Sequence, residues 1–93
     1  MTDNIYARAL KTWGRDAQLG MVQEECAELI KVINKHWRGK ASDAEVIEEC
    51  VDVELMINQM RELFRSNSDL WEKIKLDKLN KLFEMLSKDV AKA

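Results

Sequence analysis

A chain of 93 residues with no proline and only three glycines has few means of interrupting a helix once one has started. Long helices follow, provided the apolar residues recur at helical spacing, and they do. Leu19, Val22, Cys26, Leu29, Ile30, Ile33 and Trp37 fall on one stripe. Val46, Cys50, Val53, Ile57, Met60 and Phe64 form a second, and Leu70, Ile74, Leu79, Leu82, Phe83 and Leu86 a third. Such stripes are what a helix bundle buries, so they are the expected core.

Local signals divide the chain into four helices. The first covers roughly Asn4 to Trp13 and ends near Gly14. The second runs from Arg15 to Trp37 and stops at Arg38-Gly39-Lys40, where glycine can adopt the left-handed cap conformation. Ser42, followed by Glu45 three residues later, carries the capping-box signature of a third helix that extends to about Phe64 or Arg65. The turn Ser66-Asn67-Ser68-Asp69 precedes a fourth helix from Leu70 to about Lys88, with Ser68 or Asp69 as its cap and a fraying tail from Asp89 to Ala93. The expectation is a single all-α domain over residues 1–93, an antiparallel bundle. A chain this short buries a small share of its surface, which favours completion of the bundle by oligomerisation.

Composition narrows the function. Fifteen basic against 17 acidic side chains give a net charge of −2, with no basic stripe to attract nucleic acid. The apolar runs are too short to span a bilayer, and Met1-Thr2-Asp3-Asn4 lacks the basic and apolar regions of a signal peptide, so a cytoplasmic protein is expected. Cys26 and Cys50 have no zinc-site spacing and are expected as free thiols acting as small core residues.

The most informative feature is an internal echo. Residues 24–28 read Glu-Glu-Cys-Ala-Glu and residues 48–52 read Glu-Glu-Cys-Val-Asp. Glu25 with Glu28, and Glu49 with Asp52, are i, i+3 pairs that share a helix face. At about 100° per residue, Met21, Glu25, Glu28 and Val32 share one strip, and Glu45, Glu49, Asp52 and Met56 share another. If the two helices pack antiparallel, four carboxylates converge at the edge of a core. Like charges that close cannot all remain ionised without compensation. A hard divalent cation supplies it, and Mg²⁺ prefers carboxylate oxygens while keeping positions for water and phosphate. Neither an EF-hand loop nor an HExxH zinc motif is present.

Glu24-Glu25-Cys26-Ala27-Glu28, twenty intervening residues, then Glu49-Cys50-Val51-Asp52 resembles the EExxE…ExxD signature of the MazG-like all-α nucleoside triphosphate pyrophosphohydrolases. The resemblance extends over the approach Trp13 to Leu19, the Arg38-Gly39-Lys40 turn and the Lys/Leu-rich last helix, about Trp13 to Leu82. It implies that Glu25, Glu28, Glu49 and Asp52 bind Mg²⁺, for which Mn²⁺ can substitute, and that Glu24 positions or deprotonates the attacking water. It also implies cleavage between the α and β phosphates with release of pyrophosphate, and assembly as homodimers or homotetramers with the active site near or across an interface. Leu76 stands four residues before Asn80, where the family pattern has a lysine.

A triphosphate also needs cations, and Lys31, Lys35, Arg38 and Lys40 at the end of the second helix and Lys75, Lys78 and Lys81 on the fourth are the candidates. Lys31, Lys75 and Lys78 are expected to contact substrate. Base recognition calls for an aromatic or a polar edge, for which Trp13, His36 and Trp37 stand beside Gln18 and Asn34. Gln18 and Trp37 are taken as substrate-binding candidates, although Trp37 also closes an apolar stripe. Asn58 is a polar interruption of the third helix. Two alternatives remain open, a non-catalytic helical interaction module and a phosphoribosyl-ATP pyrophosphohydrolase of the same broad superfamily.

Overall fold

The computed structural model describes residues 4–92. It contains four α-helices, α1 (Ile5–Trp13), α2 (Arg15–Trp37), α3 (Asp43–Leu63) and α4 (Ser68–Lys92), with a one-turn 3₁₀ helix at Arg65–Asn67 and no strand among the described residues. No described helix is long and apolar enough to cross a membrane.

Each boundary has a local cause. The Asn4 side chain accepts from the backbone N–H groups of Tyr6 and Ala7, at 2.9 and 3.4 Å, and so caps α1. Gly14, at φ +89°, ends α1 and begins α2, a conformation that costs other residues a Cβ clash. At the far end of α2, Gly39 has φ +70°. The Lys40 N–H reaches back to Lys35 O at 2.8 Å and the Gly39 N–H to His36 O at 3.0 Å, a Schellman closure. The His36 ring closes the same turn, with Nδ1 donating to the Ala41 carbonyl at 2.9 Å. Because a carbonyl only accepts, Nδ1 carries the proton. Ser42 caps α3 with the complete box: Ser42 Oγ accepts from the Glu45 N–H at 3.2 Å, and Glu45 Oε2 accepts from the Ser42 N–H at 2.7 Å.

The fourth helix departs from expectation at both ends. The 3₁₀ turn brings the chain around by Asn67, so α4 starts at Ser68 instead of Leu70. Its backbone remains helical to Lys92 and does not leave the helix at Asp89; Ala93 lies outside the described residues.

The α2–α3 hairpin is the centre of the molecule, and α1 packs chiefly on α3. Asn58 Nδ2 donates to Tyr6 Oη at 3.2 Å, and Asn4 Nδ2 donates to Glu62 Oε2 at 3.0 Å, so two polar links hold α1 in place. The polar interruption at Asn58 is thus an α1 contact. Among the described residues, Met56, Met60 and Gln18 are the buried ones.

The expected core is met in part: Leu19, Val22, Cys26 and Leu29 of the first stripe and Val46, Val53 and Met60 of the second are covered, while Ile30, Ile33, Trp37, Cys50, Ile57 and Phe64 are exposed. On α2 the partly buried or buried positions are Gln18, Leu19, Val22, Glu25, Cys26, Leu29 and Val32; on α3 they are Val46, Glu49, Asp52, Val53, Met56 and the run Asn58 to Leu63. The cysteine-centred stripe is turned to one flank, leaving Ile30, Trp37 and Cys50 exposed and Cys26 only partly covered. The α4 stripe is also uncovered, with Leu79, Leu82 and Phe83 all more than half exposed. The reason is geometric. Residues at positions 25 and 26, or 49 and 50, sit about 100° apart on the wheel, and the hairpin packs on the first of each pair. The chain consequently spreads over 51 × 39 × 24 Å with a radius of gyration of 17.1 Å, against roughly 12 Å for a compact chain of this length.

Candidate metal centre

The face that α2 and α3 turn to each other carries the carboxylates. The α2–α3 hairpin brings the two acidic clusters together. One carboxylate oxygen from each of Glu25, Glu49 and Asp52 lies within 4.8 Å of the others, and all three residues are partly buried. None of the three has an ion-pair partner among the described residues. Glu49 Oε2 is sealed from solvent and accepts no hydrogen bond, an uncommon state for a buried oxygen.

The electrostatics respond as crowding and burial require. The Glu25 carboxyl is pushed above its ordinary range by burial first, and then by the charges of Asp52, Glu24 and Glu28. Glu49 is raised for the same leading reason, with Asp52, Glu25, Glu28 and Glu48 adding to it. The protein thus presents oxygens that are costly to ionise and that form no ion pair with a described cation. Glu25, Glu49 and Asp52 fit a hard divalent ion by donor type, by mutual distance and by the orphaned oxygen of Glu49.

The other expected ligand, Glu28, is exposed and lies outside this trio, lining an adjoining groove of about 260 Å³. Lys31, Lys35 and Lys40 line the same groove together with Glu45, Glu48 and Glu49. Lys31 therefore lines a groove with acids of both helices. Lys35 and Lys40 join it because Lys35 is one turn further along the same side of α2 and the Schellman turn folds Lys40 back. That i, i+4 relation of Lys31 and Lys35 is legible in the sequence; the return of Lys40 needs the folded turn. One Glu45 oxygen is committed to the Ser42 cap, so its second role at the groove is restricted. Glu24 is exposed and does not line the groove, but its charge adds to the rise at Glu25.

The remaining substrate candidates are dispersed. Trp37 is 83% exposed and does not line the groove. Lys75 and Lys78 line a separate apolar groove on α4 with Trp71, Ile74, Leu79 and Leu82, so within one chain they do not meet the carboxylates. Gln18 is only 2% exposed, two turns before Glu25, and its amide oxygen has no partner, like that of Gln59. Trp13 is 64% exposed, and His36 is used by its turn. No protein-family model, no curated protein and no solved structure matches this chain.

Proposed function

We propose that the chain is a Mg²⁺-dependent nucleoside triphosphate pyrophosphohydrolase, converting a standard or modified (d)NTP and water to the monophosphate and pyrophosphate. The observation that carries this reading is the convergence of Glu25, Glu49 and Asp52, with an orphaned buried oxygen on Glu49, beside a groove lined by three lysines. The resemblance of both acidic motifs to the MazG-like family supports it and supplies the position of cleavage.

In this reading Glu25, Glu49 and Asp52 hold Mg²⁺, and Glu28 turns inward from the groove to join them. Held there, the ion would supply charge neutralisation for the phosphate oxygens, a main demand of phosphoryl transfer. Lys31, Lys35 and Lys40 take the β and γ phosphates as point charges. Glu24, exposed beside Glu25 in the sequence, accepts a proton from the attacking water. The water oxygen forms a bond to the α phosphorus as the bond to the bridging oxygen breaks, and that oxygen leaves on pyrophosphate. Gln18 and Trp37 are the candidates for the nucleoside end.

The test is pyrophosphate release over a panel of ribo-, deoxyribo- and modified nucleoside triphosphates plus phosphoribosyl-ATP, in Mg²⁺, in Mn²⁺ and in EDTA. Release with Mg²⁺ and none in EDTA is expected. A folded protein that releases pyrophosphate from none of them sinks the reading. That outcome would favour a non-catalytic helical interaction module, a reading to which the extensive exposed apolar surface lends its own support.

A further inference from the structure

Two side-chain amides, one on α2 and one on α3, each carry a buried oxygen with no donor. Gln18 is 2% exposed, and its Oε1 accepts no hydrogen bond among the described residues. Gln59 is partly buried, and its Oε1 is likewise sealed and unpartnered. The Gln59 amide is held by its other end, with Nε2 donating to Met56 Sδ at 3.5 Å, so the oxygen is the atom left over. A buried acceptor without a donor bears its full desolvation penalty, so two of them call for a donor from outside the chain.

Both amides stand at one level of the hairpin. Gln18 precedes Glu25 by seven residues and Gln59 follows Asp52 by seven, two turns or about 10.5 Å on each helix. Carboxylate oxygens of Glu25 and Asp52 lie within 4.8 Å of each other, so equal steps away from the loop bring the two helices to the same height. Seven residues also return to within about 20° of the same wheel angle, which puts each glutamine on the strip of its own acid. Val22, partly buried, and Met56, buried, occupy the stretch between and give it an apolar wall.

The lysine groove lies on the other side of the acids. Its α2 residues, from Glu28 to Lys35, all follow Glu25, and its α3 residues, from Glu45 to Glu49, all precede Asp52. A substrate with its β and γ phosphates among the lysines and its α phosphorus at the carboxylates therefore extends its nucleoside towards Gln18 and Gln59. Two turns of helix, about 10.5 Å, match the reach from the α phosphate of a nucleotide to the far edge of its base. Trp37, at the loop end of α2, falls on the triphosphate side, which favours Gln18 of the two candidates for the nucleoside end.

The helices that pack on α2 are α3 and α1, so Gln18 is closed off by them, and α1 is the one that can leave. None of its side chains is fully buried. It joins α2 through Gly14 alone, at φ +89° and ψ 166°, with nothing near the residue to resist a turn. The Asn4–Glu62 and Tyr6–Asn58 hydrogen bonds tie it to α3, the second of them beside Gln59. We propose that Gln18 and Gln59 read the base of the substrate, that α1 turns aside about Gly14 to admit it, and that the two acceptor oxygens select a base with an exocyclic amino group. Such a group, on cytosine or adenine, offers two N–H donors. Thymine and uracil offer one N–H between two carbonyls, which would face the amide oxygens. The assignment rests on the hydrolase reading of the carboxylates.

The test measures binding of the α,β-methylene analogues of dCTP and dTTP in Mg²⁺ by calorimetry, beside pyrophosphate release from dCTP and dTTP themselves. The cytosine analogue should bind at least about tenfold more tightly. Gln18→Met and Gln59→Met keep the volume and remove the acceptor. Each should weaken the cytosine analogue at least about tenfold, change the thymine analogue by less than about threefold, and raise the thermal midpoint of the free protein by about 4 °C. Hydrogen exchange over α1 should quicken at least about threefold when the cytosine analogue binds, because the Asn4 and Tyr6 links are released. Equal affinity for the two analogues overturns the proposal, as does a preference for thymine. So do variants that stabilise the free protein and leave cytosine binding unchanged, since the amides would then hold only buried water. Pyrophosphate release from both nucleotides without discrimination removes the base assignment and leaves the hydrolase standing. Discriminating, glutamine-dependent binding without release supports the base assignment and removes the catalytic step. Neither binding nor release removes both.

Discussion

Glu49 is the residue on which the site turns. Its carboxylate is raised by burial and by four neighbouring acids, and one oxygen has no partner. The sign of the consequence follows from linkage. A carboxyl raised in the folded state binds more protons there than in the unfolded chain, so its contribution to stability declines as pH climbs from the ordinary carboxylate range through the raised value. In EDTA, thermal midpoints measured from about pH 5 to about pH 8 should therefore show a downward component from Glu25 and Glu49 that Glu49→Gln reduces. An identical slope in wild type and variant would mean that the carboxylate is not crowded as described. Mg²⁺ binds the ionised form and should raise the midpoint more at the alkaline end. If the three acids hold the catalytic ion, Glu25→Gln should lower pyrophosphate release at least about 100-fold, since even the outer partners of a metal site are worth 10–100-fold. It should do so without lowering the midpoint in EDTA, because it also relieves repulsion. Activity within a few-fold of wild type would remove Glu25 from the site.

The elements are held by short-range chemistry, and each boundary can be tested singly. The Ser42–Glu45 box at the start of α3 satisfies two backbone donors, and Ser42→Ala should cost about 1 kcal/mol in urea unfolding. Gly39, at φ +70°, closes α2, and Gly39→Ala should cost about 1–2 kcal/mol because an L side chain is strained there, although nothing lies within 4 Å of the added methyl group. These signals lie within four residues of one another, which is why the starts and stops of α2 and the start of α3 are readable from sequence. The start of α4 is less so. The one-turn 3₁₀ helix at Arg65–Asn67 uses residues that read as an open turn, and Ser68, a plausible cap by type, lies inside the helix.

At the scale of the whole molecule, the isolated chain has an open shape and a thin core. Among the described residues, two buried methionines and a buried glutamine are little to set against the conformational entropy of the chain. If association supplies the remainder, the thermal midpoint should depend on concentration. Each tenfold dilution removes about 1.4 kcal/mol of apparent dimer stability, or several degrees for a chain of this size. A midpoint independent of concentration over two decades would show that the single chain is self-sufficient.

The sequence alone determined that this protein is helical, where most of its helices start and stop, and that Glu25, Glu49 and Asp52 occupy matching positions on two of them. Those properties depend on hydrogen bonds, caps and wheel angles that act within a few residues. The tertiary structure decided which of two adjacent stripes on α2 and α3 faces inward. Both stripes are contiguous and both contain apolar side chains, so local periodicity ranks them poorly, and the choice belongs to long-range packing between helices and α1. The inward face takes in the acids together with part of each expected stripe, which is why the carboxylates converge while Ile30, Trp37 and Cys50 stay exposed.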